Sequence, residues 1–237
     1  MRRLLLCVLA LFLVSTALPC LSQQTDIRQF VVFGAYTYLA TPSLNLTQRG
    51  FDGDLGYNYR SWLSFGFDFG YYTGHSSLQT GDLNPAFLAT IPAPFLGELA
   101  ALAPGGVPYN ITTQTYEAGP QLNYRHFKKV TFFVRPALGA LHSNVKVSPA
   151  FLGFLNSISP GTSTTFCGFV PCSPNDLVPF YGFGAGISWE ITPHFGLRAT
   201  SDFAHYDFFS GLLNGGRNSV RVSIGPKFSF GKNILQK

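Results

Sequence analysis

The chain has 237 residues and a formal net charge of +5, with charged residues at 11% of the total and aromatic residues at 16%. A soluble domain carries about 25% charged residues, so a fully water-facing exterior would be short of charge, and the length suits one domain. There is no block of like charges of the kind that marks nucleic-acid binding or a basic tail.

The first predicted element is a targeting segment. Arg2 and Arg3 precede an apolar run from Leu4 to Val14, and small residues at Cys20 and Ser22 suit cleavage after Ser22. Residues 1–22 therefore read as a secretory signal, too short for a membrane helix, and 23–237 as one domain. Pro19 before Cys20 disfavours a lipoprotein reading. No later run has the roughly eighteen apolar residues of a spanning helix, so a secreted chain that stays in a membrane is expected to cross it with strands.

Eight candidate strands follow: Gln29 to Leu39, Gly50 to Tyr59, Trp62 to Tyr72, Thr113 to Tyr124, Val130 to His142, Pro179 to Ile191, Phe195 to Asp207 and Asn218 to Phe230. The second and third show the pattern best. Phe51, Leu55, Tyr57 and Tyr59 share one parity against Asp52, Asp54, Gly56 and Asn58; after Arg60-Ser61, Leu63, Phe65, Phe67, Phe69 and Tyr71 oppose Ser64, Gly66, Asp68 and Gly70. Each strand is about as long as a tilted membrane strand must be. Connections after strands two, four and six are short, whereas two of the others are long, at about 73–112 and 143–178. The expected fold is all-β, an eight-stranded antiparallel up-and-down transmembrane β-barrel with short periplasmic turns and long outer loops.

Rings near the strand ends read as two interfacial girdles, Tyr57, Tyr59, Trp62, Tyr124, Trp189 and Phe195 on the inner side and Tyr36, Tyr38, Tyr71 and Phe208 on the outer. The opposite parity turns Asp52, Asp54, Asp68, Glu117, Arg135, Glu190, Arg198, Asp202, Arg221 and Lys227 inward, with Gly182, Gly184 and Gly186 among the small residues beside them. An eight-stranded interior is filled by side chains, so these charges are expected to pair. Folding about the short turns predicts contacts of Glu117 with Arg135 and of Glu190 with Arg198. A cation site or acid-base pair at Asp52, Asp54 and Asp68 is the competing reading, disfavoured by the shared basic residues and by the lack of an Asp-x-Asp-x-Asp-Gly loop. No spacing points to a cofactor, and the histidines and cysteines lack a zinc pattern.

In the outer loops, Cys167 and Cys172 are expected to form a disulfide, given an oxidising compartment. DLNPAFLATI from Asp82 and KVSPAFLGFL from Lys146 are alike, and Asn84 or Ser148 before Pro85 or Pro149 predicts a helix start in each; chance similarity is the alternative. A further helix is predicted from Pro94 to Ala103. Phe87, Leu88, Ile91, Phe95, Phe151, Leu152 and Phe154 are candidates for contact with a surface or a small apolar ligand.

The segments FVVFGAYTYL, DLGYNYRSWLSFGFDFGYY, ITPHFGLRATSDF and SVRVSIGPKFSF resemble the small eight-stranded bacterial outer-membrane β-barrels, the group that includes the outer membrane protein A transmembrane domain. The resemblance implies an outer-membrane location among lipid, and recognition by the barrel-assembly machinery through the last strand ending at Phe230. GKNILQK after Phe230 departs from the family's terminal aromatic, and no peptidoglycan-binding domain is expected to follow. The family's architecture leaves function open. A non-enzymatic structural or surface-interaction role through the outer loops is the first reading, and a pore or transporter for small hydrophobic solutes the second. The third is an enzyme: His142-Ser143-Asn144 is similar to the His-x-Ser-Asn motif of the lipid A deacylases, but adjacent residues on a strand point to opposite faces.

Overall fold

The computed structural model describes residues 24–235; the expected signal segment, with Cys20, lies outside them. Eight strands form a closed antiparallel barrel, β1 (Arg28–Thr41), β2 (Leu46–Asn58), β3 (Leu63–Leu78), β4 (Val107–Tyr124), β5 (Val130–Val147), β6 (Asn175–Glu190), β7 (Phe195–Tyr206) and β8 (Arg217–Asn233). Each strand pairs with the next, and β8 returns to β1 with Phe30 opposite Phe230 and Tyr36 opposite Ile224. Closure leaves no free edge, which a lipid environment requires of a wall built from strands. Among the described residues no helix is long and apolar enough to cross a membrane.

Parity sorts the side chains as the alternation demands. Phe51, Leu55, Phe65, Phe67 and Phe69 lie exposed on the outside, Phe51 at 68% and Phe67 at 47%, while Asp52, Asp54, Ser64 and Asp68 are buried inside. The inner girdle residues Tyr57, Tyr59, Trp62, Tyr124, Trp189 and Phe195 are all exposed at the ends bearing the short turns. These turns are held locally: Arg60 N–H donates to Leu63 O at 2.9 Å, and the Thr192 hydroxyl accepts from Phe195 N–H at 2.9 Å.

Several strands run further outward than their apolar alternation. β3 and β4 stay paired to Leu78 opposite Val107, and β5 continues to Val147. The added segments carry Thr, Ser, Asn and His on the outer face, because they stand in water above the lipid. One girdle assignment is corrected. Phe208 is only 3% exposed and packs in the barrel mouth with Tyr206 and Phe209, at ring separations of 5.2 Å from each.

The long outer loops fold on themselves. The second carries α1 (Pro85–Leu88) and α2 (Ala93–Leu102), the third α3 (Pro149–Ile158) and α4 (Thr162–Phe169). Asn84 caps α1 through its side chain, which accepts from Ala86 N–H at 2.9 Å, and Pro85 opens the helix. Ser148 occupies the matching place before α3 without a side-chain cap, so the two similar segments share a helix start and differ in its capping.

Candidate functional site

The lumen and the outer cap are the two places where chemistry-bearing side chains converge. At mid-barrel, closure brings β2, β3 and β4 together with Asp54 opposite Asp68 and Asp68 opposite Glu117. Adjacent carboxylates at one level repel, and buried ones need cationic partners. These come from across the lumen. Arg221 reaches Asp68 at 2.9 Å, Glu117 at 2.8 Å and Asp202 at 2.9 Å. Arg135 reaches Asp202 at 3.1 Å through both Nε and Nη2, Asp54 at 3.4 Å and Glu117 at 3.5 Å. Arg135 thus grips both Asp202 oxygens in the bidentate geometry that gives such pairs their strength, and Arg221 adds two bonds to Oδ2.

Carboxylates outnumber guanidiniums in this cluster, and neutral donors serve the remainder. Asp52 accepts from the hydroxyls of Tyr72, Thr37 and Ser223. Tyr72, which is fully buried, also lies 3.3 Å from Arg221. Tyr72 is absent from the expected lumen set, because it follows Tyr71 and the doublet reads as a lipid-level belt. Its even number, in step with Asp68 and Gly70, was the available signal.

Glycine makes the cluster possible. Gly184 lies between Arg135 on β5 and Asp202 on β7, and a Cβ there would run into the Asp202 carboxylate. Gly186 leaves room in the same way for the Phe133 ring. Phe133 in turn lies under the Arg198 guanidinium at 4.1 Å, with Phe33 at 5.5 Å on the same group.

The two predicted pairings fare differently. Glu117 and Arg135 touch, but not as direct cross-strand neighbours: Glu117 stands opposite Gly139, and the contact depends on the long Arg135 side chain. The expected Glu190–Arg198 pairing is not made. Glu190 stands opposite Gly196 and bonds Lys227 from β8, whereas Arg198 stands opposite Ser188 and extends to Asp54 at 3.4 Å and to Gln121. Strand tilt accounts for both results, since a lumen side chain meets the level of the barrel it reaches and not the residue beside it in the ladder. Below, in the short turn after β4, Arg125 donates to Asn58 at 2.8 Å; burial pushes its guanidinium down to about 10, against the pull of Glu190, so it keeps its charge at neutral pH.

Above the cluster the lumen turns apolar. Ile111, Leu141, Phe180 and Tyr206 pack beneath Phe208, Phe209 and Leu213 from the last outer loop. A second, separate core lies within the cap, where Ile91, Val107, Val147, Phe151, Leu155, Phe166 and Val170 are buried together. Cys167 and Cys172 are joined by a disulfide at its edge, with Cα atoms 5.3 Å apart. Phe87, Phe95 and Leu152 pack against this core, and Leu88 is half-buried. These residues fill the cap rather than wall an open pocket. Three large apolar residues of the third loop remain outside: Phe154 at 48%, Ile158 at 53% and Phe169 at 40% exposure.

Between the two cores runs a crevice of about 530 Å³ of atom-free space, its open side included, lined by Leu78, Tyr109, Val145, Val170, Phe209 and Leu212 among others. At the outer end of β5, Ser143 is buried 3.3 Å from the Thr113 hydroxyl, while His142 lies on the other face. Among the described residues no group of His, Cys, Asp and Glu is arranged to hold a metal ion.

An apolar outward face along the middle of a closed wall, with aromatic rings at its turn-bearing end and the mid-barrel charges turned into the lumen, matches a lipid surrounding. This is a closed eight-stranded antiparallel β-barrel of the transmembrane type. No family model and no curated protein matches the chain. Solved structures that resemble it include Neisserial surface protein A, at 14% identity and a TM-score of 0.47, covering 85% of this chain and 96% of that one. The outer membrane protein OprG from Pseudomonas aeruginosa gives 8% identity and 0.47, covering 89% and 99%. Ail, the attachment invasion locus protein of Yersinia pestis, solved with the heparin analogue sucrose octasulfate, gives 14% and 0.44, covering 84% and 96%. At these values they are likenesses of architecture.

Proposed function

We propose that the protein is a non-enzymatic surface-contact protein, with a filled barrel as the mount and the third outer loop as the contact element. The observation that carries this reading is the pairing of a self-contained, disulfide-closed core with Phe154, Ile158 and Phe169 left exposed on its outside. From Ser148 to Asn175 there is no charged side chain. A rigid apolar feature of this kind is better accounted for by contact than by exposure to water, and its pre-organisation lowers the ordering cost of binding. The partner surface is accordingly apolar and not polyanionic. Replacing Phe154, Ile158 and Phe169 together by Ser should leave the heat-modifiable gel mobility intact and strongly reduce attachment of expressing cells to alkyl-coated beads. Unchanged attachment by a folded triple variant would overturn the reading.

The crevice favours a second reading, uptake of small apolar solutes. It lies over an apolar upper lumen, but the path below ends on Glu117, Asp202 and Arg221, so the crevice suits binding better than passage. Solute flux into liposomes through the intact protein would favour transport instead.

A further inference from the structure

Charge is sorted along the barrel axis. At the outer end, the acids Asp82, Glu98, Asp176 and Asp207 face the bases Arg49, Lys146 and Arg217, and Arg217 is engaged with the Asp82 carbonyl at 3.3 Å. That end is close to neutral. At the periplasmic end the turn before β3 carries Arg60, the turn before β5 carries Arg125, Lys128 and Lys129, and the end of β8 carries Lys232. The acids there are already occupied, Asp26 by Arg28 at 2.8 Å and Glu190 by Lys227. The surplus positive charge of the described chain therefore lies on this rim, and Arg60, Lys128, Lys129 and Lys232 are exposed.

These cations are placed at a defined depth. Arg60 lies over the Tyr59 ring at 5.7 Å, and in the next turn His126 stacks on Tyr124 at 5.7 Å, two residues before Lys128. Tyr59, Trp62 and Tyr124 are exposed on the lipid side of the same strand ends. Aromatic rings settle at headgroup level, so the basic groups beside them are held where lipid phosphates lie. A soluble anion would find no such alignment, since the rings flank the outer wall and not the lumen axis.

We propose that the periplasmic rim, centred on Arg60, Lys128 and Lys129, is a binding surface for anionic phospholipid headgroups of the inner leaflet. It orients the barrel by charge, while the near-neutral outer end leaves the cap free for apolar contact. The proposal is independent of the surface-contact reading, because it concerns the opposite end of the barrel.

The chain provides its own reporter. Its two tryptophans, Trp62 and Trp189, both lie exposed at this rim, so quenching of intrinsic fluorescence by lipids brominated high on the acyl chain reads only the rim's lipid neighbours. In phosphatidylcholine vesicles holding a minor fraction of brominated lipid, brominated phosphatidylglycerol should be enriched around the folded full chain roughly fivefold over brominated phosphatidylcholine, the size of one basic contact with an anionic surface. Arg60→Gln, Lys128→Gln and Lys129→Gln together should abolish the difference, whereas Lys128→Arg with Lys129→Arg should keep it. Heat-modifiable mobility reports that each variant is folded. Equal quenching by the two lipids in the unaltered protein would overturn the proposal, as would a preference that survives in the Gln variant. Loss of the preference on adding inorganic phosphate at constant ionic strength would assign the surface to a soluble anion and overturn the lipid.

Discussion

The lumen and the outer cap are both buried, yet they are built on opposite principles. In the lumen, Asp202 on β7 is clamped by Arg135 from β5 and Arg221 from β8, and Arg221 also serves Asp68 and Glu117 from β3 and β4. Every partner comes from a different strand, so the network exists only once the barrel has closed. In the cap, the contacts join neighbouring pieces of two loops through apolar rings, and one disulfide spans five residues. A change in the lumen is therefore felt by the whole wall, whereas a change in the cap stays local. That difference is why the barrel can serve as a fixed mount while the cap carries the contact.

The comparison breaks most sharply at Arg221. Arg221→Ala strips three buried carboxylates of their shortest guanidinium contact and should destabilise the membrane-folded protein by about 3 to 5 kcal/mol. Urea unfolding in lipid vesicles measures it, and the double variant with Asp202→Ala should cost less than the sum of the single changes. Additive costs would mean that the two groups act separately. On the outer face, Phe67→Arg places a charge near mid-strand against lipid and should cost about 2 to 4 kcal/mol in the same assay. Access of a water-soluble thiol reagent to Cys at position 67 in intact membranes would argue against lipid contact there.

Smaller effects sharpen the contrast. Gly184→Ala drives a methyl into the Asp202 carboxylate, and an overpacked site of this kind costs about 1 to 3 kcal/mol, with the loss read as a lower urea midpoint. Cys167→Ser with Cys172→Ser should leave that midpoint unchanged. Amide exchange should speed up across Thr162–Phe169, because the crosslink restrains only the cap.

The wall was legible in the sequence because alternation is a local signal. The parity that turns Phe65, Phe67 and Phe69 outward and Asp68 inward needs no knowledge of the partner strand. Strand ends were less legible: Thr73–Leu78 and Val107–Thr112 lie above the lipid, where no apolar face is required, so pairing continues after the pattern stops. The lumen residues were readable by parity, but most of their partners were not. The tight turn between them predicts Glu190 with Arg198, whereas the tilt of the closed barrel brings Glu190 to Lys227. Phe208 reads as a girdle residue because it follows a strand, but the chain turns inward there, with Phe209 at a positive φ of 50°. The helix Thr162–Phe169 has no clear sequence signal because a run of Thr and Ser is a weak helix former, and it forms against Phe151 and Leu155 after the left-handed turn at Gly161.

The division of labour between mount and cap is tested most directly by replacing 82–106 and 148–173 with short Gly/Ser turns and measuring attachment of expressing cells to alkyl-coated beads, using only a trimmed protein that keeps its heat-modifiable band. The account predicts that attachment falls to the level of cells lacking the protein. Attachment equal to that of the full chain would contradict it, placing the contact in the barrel wall or the remaining loops.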